Sequence, residues 1–199
     1  MSDTEPKTTE PKLAPPGAGI PWIAKLVLRW YVNPRVAGRE PLEQIRARFE
    51  RKHQRASEEF LAVPEGLREK KVLVPPQRGL EDSSRYWSAA MVLEHLEIVG
   101  SQIVRGIEKL ANDVDPGIKA DTAKVKPRGE RTAAEIFASF EKWRAGVLPY
   151  LDAHVKSYDS PRTLAHPWFG DLTAKKWFWL LGTHADIHLT QLRAIRKGL

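Results

Sequence analysis

The sequence of 199 residues predicts an all-α protein, a four-helix bundle with an extra N-terminal helical segment. Three observations lead to this fold class. Four long segments carry apolar residues at helical spacing, and the stretches between them are rich in Pro, Gly and Asp. No convincing strand pattern and no internal repeat is present. The length suits a single domain that can bury a sizeable core.

Three parts are expected along the chain. Residues 1–19 are predicted to form a disordered, Pro-rich tail, because Pro, Thr, Glu and Lys leave little apolar surface to bury. Residues 20–35 form a predicted amphipathic segment. Residues 36–199 form the predicted bundle domain.

The amphipathic segment allows two interpretations. Within residues 20–33, Ile23, Val27 and Trp30 lie at helical spacing, while Lys25 falls on another face. The segment either packs on the main domain as a helix or lies on a membrane surface as a peripheral contact.

The bundle helices are predicted at about residues 41–63, 83–112, 132–157 and 173–197. Pro41 suits the first position of the first helix. Pro149 is expected to kink or interrupt the third helix, because proline removes a backbone hydrogen bond. The stretch KKVLV, between the first and second helices, is a candidate for a short extended piece.

Composition restricts the classes of function. The chain has no Cys, so disulfides, thiolate metal sites and a cysteine nucleophile are excluded. No apolar run reaches the ~20 residues of a spanning helix, and the N-terminal stretch lacks the apolar region of a signal peptide. A cytoplasmic location is therefore expected.

The net charge of +7 does not by itself indicate a nucleic-acid partner. Basic residues are interleaved with acids, as in EQIRARFERKHQRASEEF, which is typical of a solvated helix face. The absence of a long basic run and of a nucleic-acid-binding motif argues against nucleic acid.

Two histidines stand four residues apart in LLGTHADIH, near the C-terminus. In a helix His184 and His188 lie ~40° apart on one face, which also holds Trp177, Leu181 and Gln191. A buried imidazole has a donor and an acceptor to satisfy. Core histidines bonded to the backbone are one interpretation, and a metal ion that binds both rings is the other. A metal site needs a third ligand from another helix.

The second predicted helix offers that ligand. His95 lies ~60° from the centre of its apolar stripe, and Ser88 and Gln102 share the same edge. Glu94 is rotated ~100° away from His95, so the two do not form a ligand pair. No HExxH motif occurs, and the glutamate base of the zincins is therefore missing.

These segments resemble a known family. YWSAAMVLEHLEIV is similar to the second-helix motif of the DinB-like (YfiT-like) four-helix-bundle metalloproteins, and HPWFGDLTAKKWFWLLGTHADIHLTQL resembles the loop and last helix of one branch. The resemblance covers about residues 40–199. It implies a bundle in a mirror variant of the up-and-down topology. It also implies a divalent metal, zinc or nickel, bound by His95, His184 and His188.

The resemblance further implies a function. Three histidine ligands leave coordination positions open, which is typical of catalytic zinc. A metal-dependent enzyme, similar to a thiol S-transferase or a hydrolase, is expected to act on a small-molecule substrate. A low-molecular-weight thiol is the expected co-substrate, and a homodimer is a candidate assembly. The alternative is a non-catalytic bundle that binds metal or a small ligand.

Six further residues are candidates for the pocket wall or for hydrogen bonds to the ligands. His53, on the apolar face of the first helix, either lines the pocket, supports a ligand or packs in the core. His166 is interpreted as a structural anchor before the last helix, with a position facing the pocket as the alternative. The full set is His53, Ser88, Gln102, His166, Trp177 and Gln191.

Overall fold

The computed structural model describes residues 11–117 and 121–199, and its long helices form an all-α bundle, which confirms the predicted fold class. The bundle helices are α2 (Leu42–Leu61), α3 (Ala89–Ala111), α4 (Ala133–His154) and α5 (Ala174–Lys197), preceded by the short α1 (Trp22–Val27). None of the described helices combines the length and apolar character that a membrane-spanning helix requires.

Helices α2 and α5 run parallel to each other. Arg48 on α2 bonds Thr183 on α5 at 3.5 Å, and further along both helices Glu59 accepts a hydrogen bond from Arg193 at 2.8 Å. Partners therefore follow each other in the same order along the two helices.

Helices α3 and α4 are also parallel. Glu97 accepts a hydrogen bond from Ser139 at 2.5 Å, and Glu108, further along α3, accepts one from Tyr150 at 2.7 Å. Parallel neighbours need a connection that returns along the bundle, so the chain crosses over between the end of α3 and the start of α4.

The two parallel pairs run in opposite directions. Arg46, near the start of α2, bonds Asp152 near the end of α4 at 2.7 Å. Ser57, near the end of α2, bonds Glu141 in the first half of α4. In chain order the four helices therefore run up, down, down and up, whereas a simple up-and-down bundle alternates at every step.

The start of α3 differs from the expected position near residue 83. A 3₁₀ turn at Asp82–Ser84 is followed by β2 (Tyr86–Trp87), which pairs antiparallel with β1 (Val72–Leu73). The extended piece predicted in KKVLV is thus present. The helix begins only after Ser88, whose hydroxyl accepts a hydrogen bond from the Met91 backbone N–H at 3.2 Å.

The third bundle helix is not interrupted at Pro149. Helix α4 begins with a capping box, in which Thr132 and Glu135 bond each other's backbone N–H, and continues through Pro149 to His154. The expected interruption is therefore absent, while a kink at Pro149 stays a prediction, and the helix ends three residues earlier than the predicted residue 157.

A β-hairpin that was not predicted stands before the last helix. Strand β3 (Thr163–His166) pairs antiparallel with β4 (Gly170–Thr173), and Leu164 lies opposite Leu172. Leu172 is fully buried, so the hairpin adds one face to the bundle core. Gly170 has φ +73°, a left-handed conformation that glycine adopts without strain. The strands are too short for their alternation to be distinguished from loop sequence.

The N-terminal segment packs on the bundle through one face. Helix α1 continues into a π-helical segment (Leu28–Ala37), from which Leu28 and Val32 contact the core. The Asn33 side-chain amide donates to the carbonyl oxygens of Phe169 and Asp171, at 2.9 and 3.0 Å. These bonds fix the segment to the hairpin.

The predicted disordered tail falls mostly outside the described residues. Residues 1–10 are not among them, so that part of the prediction is not examined by the structure. Residues 11–19 contain no helix or strand, and the Ala14 backbone N–H donates to the Asp82 carboxylate at 2.7 Å.

Candidate metal centre

Three histidine side chains from two helices converge inside the bundle. The Nε2 atom of His184 lies 3.2 Å from Nε2 of His95 and 3.1 Å from Nε2 of His188. Ligand atoms of all three residues lie within 4.8 Å of one another. The convergence expected from the sequence is therefore present, while their binding of a metal stays a prediction.

Two of the three rings are held by hydrogen bonds through Nδ1. His95 Nδ1 lies 2.7 Å from the Val125 carbonyl oxygen, and His188 Nδ1 lies 2.7 Å from the Gln191 side-chain oxygen. The Gln191 amide nitrogen donates to the Ser84 carbonyl at 2.7 Å, so its oxygen must face His188. A carbonyl can only accept, so both Nδ1 atoms carry the proton and both Nε2 lone pairs point inward.

The local environment keeps these imidazoles neutral. Burial, with a smaller contribution from the charge of Lys126 and against the opposing effect of the Gln191 hydrogen bond, lowers the pKa of His188 to about 4. Burial also lowers the pKa of His95 and His184 well below the ordinary value, and the neighbouring imidazole of His188 adds to both shifts. Neutral imidazole is the form that binds metals.

The three nitrogens fit a divalent cation better than they fit one another. A single proton on His184 Nε2 can be donated to only one of its two close contacts, so at least one lone pair, on His95 Nε2 or on His188 Nε2, has no donor there. His184 Nδ1 is in addition buried without a hydrogen-bond partner. Nitrogens bound ~2.0–2.1 Å from one ion at neighbouring positions lie about 3 Å apart, and His184 Nε2 lies 3.2 and 3.1 Å from its two neighbours. Imidazole donors suit zinc, nickel, copper and iron alike.

A loop that sequence analysis did not identify supports the centre. The loop provides the Val125 carbonyl and also Lys126, whose ammonium group lies 2.6 Å from Glu81 and 2.9 Å from Ser84 Oγ. The Glu81 and Lys126 side chains are mostly buried, and Lys126 lowers the pKa of His95 and His188. No motif marks these loop residues in the sequence, because only the folded crossover brings them to the histidines.

The histidines line a cavity of about 820 Å³. Much of its wall is apolar and comes from the N-terminal segment, the hairpin, α3 and α5, with Leu28, Val32, Ile103, Leu164, Phe169 and Leu180 among the contributors. Three exposed cations also line it: Arg105, Lys109 and Lys124. This volume is within the range of small-molecule sites.

Several of the predicted pocket residues are found in the cavity wall. His166 and Trp177 line it, and Gln102 lies on its exposed side. Trp177 donates its indole N–H to the Leu164 carbonyl at 3.1 Å. His166 is also an anchor, because its Nδ1 accepts the backbone N–H of Trp168 at 3.0 Å in the hairpin turn. His166 thus lines the cavity and is bonded within the hairpin turn, while its role stays a prediction.

Ser88 and His53 do not lie in the wall of this cavity. Ser88 is the N-cap of α3 and not a residue within the helix. The prediction that Ser88 shares a helix edge with His95 is therefore wrong, because α3 begins later than expected. His53 packs its ring against Phe49 and Trp143, with centroids 4.3 and 5.2 Å away, and borders a separate cleft between α2 and α4. Of its three interpretations, core packing describes this position.

Comparison with known proteins identifies a family for this arrangement. A family model described as the DinB superfamily matches residues 42–192, which is more than half of the chain and includes all three histidines. No curated protein and no solved structure gives a significant match to the chain.

Proposed function

The chain belongs to the DinB superfamily, and from this membership and the geometry of the centre we propose that it is a metal-dependent enzyme. The observation that carries the proposal is the meeting of His95, His184 and His188 at the wall of a cavity. Among the described residues, no other His, Asp or Glu joins their group. Three protein ligands leave positions for water or substrate, as in catalytic zinc sites.

The proposed ion is divalent, with zinc and nickel as the first candidates. When bound, it supplies Lewis acidity, which lowers the pKa of a bound water or thiol and polarises a carbonyl. The chain's own contribution is to fix the ligand tautomers through Val125 and Gln191 and to keep the imidazoles neutral by burial.

The cavity favours a small, mainly apolar substrate with an anionic group. Its apolar wall would exclude water from the reacting groups, and Arg105, Lys109 and Lys124 would attract negative charge. A low-molecular-weight thiol is proposed as co-substrate because the family resemblance implies one, and since the chain has no cysteine such a thiol would come from solution. Thiol transfer and hydrolysis are the two reaction types under this proposal.

His166 supplies a fixed hydrogen-bond donor to this cavity. Its Nδ1 accepts the Trp168 N–H, so the remaining ring proton is on Nε2. Burial lowers the pKa of His166 to about 4, which keeps the ring neutral at pH 7. We propose that Nε2–H orients a substrate oxygen or thiol.

Elemental analysis joined to a turnover assay tests the proposal. The purified chain should carry about one divalent ion per molecule and, with that ion, should turn over members of a panel of thiols with electrophiles or of ester and amide substrates. His188→Ala should lose most of the metal and the turnover. His53→Ala is the matched control, because this buried histidine lies outside the centre and should keep both.

Each contrary result has a defined meaning. Stoichiometric metal in His188→Ala would reject the three-histidine site. Metal bound as expected, with no turnover across the panel, would reject the enzyme and leave a non-catalytic metal-binding bundle.

A further inference from the structure

The outer face of the N-terminal segment exposes an apolar surface. Within the described part of the chain, eleven large apolar side chains are exposed, and seven of them lie in the fifteen residues 22–36. Trp22 and Trp30 expose 70% and 68% of their surface. The surface, named here the aromatic face, comprises Trp22, Ile23, Leu26, Val27, Trp30, Tyr31 and Val36. Contiguous exposed apolar surface usually marks an interaction site.

The helical winding separates this face from the core. Most of its residues recur every fourth position, so they lie side by side along the segment. Leu28 and Val32 point the other way and contact the core, and Ala37 is buried. Asn33 holds the segment to the hairpin by two hydrogen bonds. The aromatic face is therefore presented outward by a segment whose inner face belongs to the fold.

Positive charge accompanies the aromatic face. Residues 11–39 contain five cations (Lys12, Lys25, Arg29, Arg35 and Arg39) and no acid, whereas the whole chain has a net charge of +7. The Arg35 guanidinium lies 5.5 Å from the centroid of the Tyr31 ring and donates to the Trp30 carbonyl at 3.1 Å. The Arg35 cation is thus placed beside Tyr31 and Trp30 of the aromatic face.

We propose that the aromatic face docks the protein on the surface of an anionic lipid bilayer. Trp and Tyr rings favour the boundary between lipid headgroups and acyl chains, and Lys and Arg are attracted to anionic headgroups. A second copy of the chain is the less favoured occupant, because a two-fold contact would bring two segments of charge +5 against each other. This docking is independent of the metal centre and of any turnover.

Vesicle flotation of the full chain tests the docking. The protein should float with vesicles that contain phosphatidylglycerol, bind pure phosphatidylcholine more weakly and detach as salt is raised. The double variant Trp22→Ser/Trp30→Ser should reduce the bound fraction at least about tenfold, because both rings bury apolar surface in the lipid. Truncation is avoided, since Leu28 and Val32 contribute to the core.

A matched variant controls for general loss of surface apolarity. Leu61→Ser/Leu73→Ser removes two side chains that are 50% and 47% exposed elsewhere, and it should bind vesicles as the wild type does. Circular dichroism and metal content should be the same for all variants. Equal flotation of the wild type and the tryptophan variant would overturn the proposal. The proposal would also be overturned if the wild type did not float and light scattering showed a dimer that the tryptophan variant dissociates.

Discussion

The Nε2 atoms of His95 and His184 lie 3.2 Å apart, although one histidine belongs to α3 and the other to the antiparallel α5. His188 approaches the same atom of His184 at 3.1 Å. Because His95 and His188 are buried, His184 is half-buried and the pKa values of all three are lowered, no additional proton separates the nitrogens at neutral pH. The folded chain therefore holds an arrangement that is best satisfied by a cation.

Metal should stabilise the wild type and not a ligand variant. At a free metal concentration 100 times the Kd, binding adds about 2.7 kcal/mol to the free energy of unfolding, or roughly 5–10 °C in Tm for a chain of this size. His184→Ala should show little of this rise. Thermal unfolding with zinc and with a chelator measures it, and an equal rise in both proteins would contradict the site.

Gln191 should set the metal affinity without being a ligand. Gln191→Leu removes the acceptor of His188 Nδ1–H, and changes of this type cost about 10–100-fold in affinity. Gln102→Leu, on the exposed side of the cavity, is the control and should keep the wild-type affinity. Competition with a chromophoric chelator gives both constants. Unchanged affinity in Gln191→Leu would show that its hydrogen bond does not support the metal.

His53 should make stability fall in acid. Burial lowers its pKa to about 4, with a smaller contribution from the charge of Arg144, whereas the unfolded chain titrates near 6.5. As the pH falls from 6.5 towards 4, the unfolded state binds a proton that the folded state does not, so the free energy of unfolding decreases. The full effect is up to about 3 kcal/mol. Urea unfolding of the metal-free wild type and His53→Leu between pH 7 and 4.5 measures the free energy of unfolding against pH. This dependence should be shallower for the variant, and equal slopes would contradict the role of His53.

Two helical glycines should respond oppositely to alanine. A Cβ at Gly100 would clash with the Trp143 indole, so Gly100→Ala must displace that ring and should cost about 1–3 kcal/mol. At Gly146 a Cβ meets no atom within 4 Å, and Gly146→Ala should stabilise by about 0.5–1 kcal/mol. Chemical denaturation measures both. A stabilised Gly100→Ala would mean that α3 and α4 are not in close contact there.

The sequence predicted the helices and the histidine cluster because both depend on periodicity. His184 and His188 lie one turn apart, and the apolar stripe of α3 indicated that His95 lies near its inner edge. The late start of α3 was not predicted, because pairing of Tyr86–Trp87 with Val72–Leu73 overrides a helical pattern that includes Ser88. Tertiary pairing of this type leaves no local signal.

The support of the centre could not be predicted for a different reason. Val125 acts through a backbone carbonyl, which every residue has, and Lys126 is one of many lysines. Both depend on the path of the crossover after α3. The sequence also could not predict that Trp22 and Trp30 face outward. The segment has two apolar stripes, and its pattern does not show which of them contacts the core.

Because the three histidines come from two helices, the geometry of the centre depends on the register of α3 relative to α5. His184 and His188 move together with α5, so only the position of α3 relative to α5 decides whether His95 meets them. A slip of one residue along α3 would move His95 by about 1.5 Å and turn it by about 100°. A spectroscopically active ion, such as cobalt, would therefore report the alignment of the two helices at ångström scale in the folded chain.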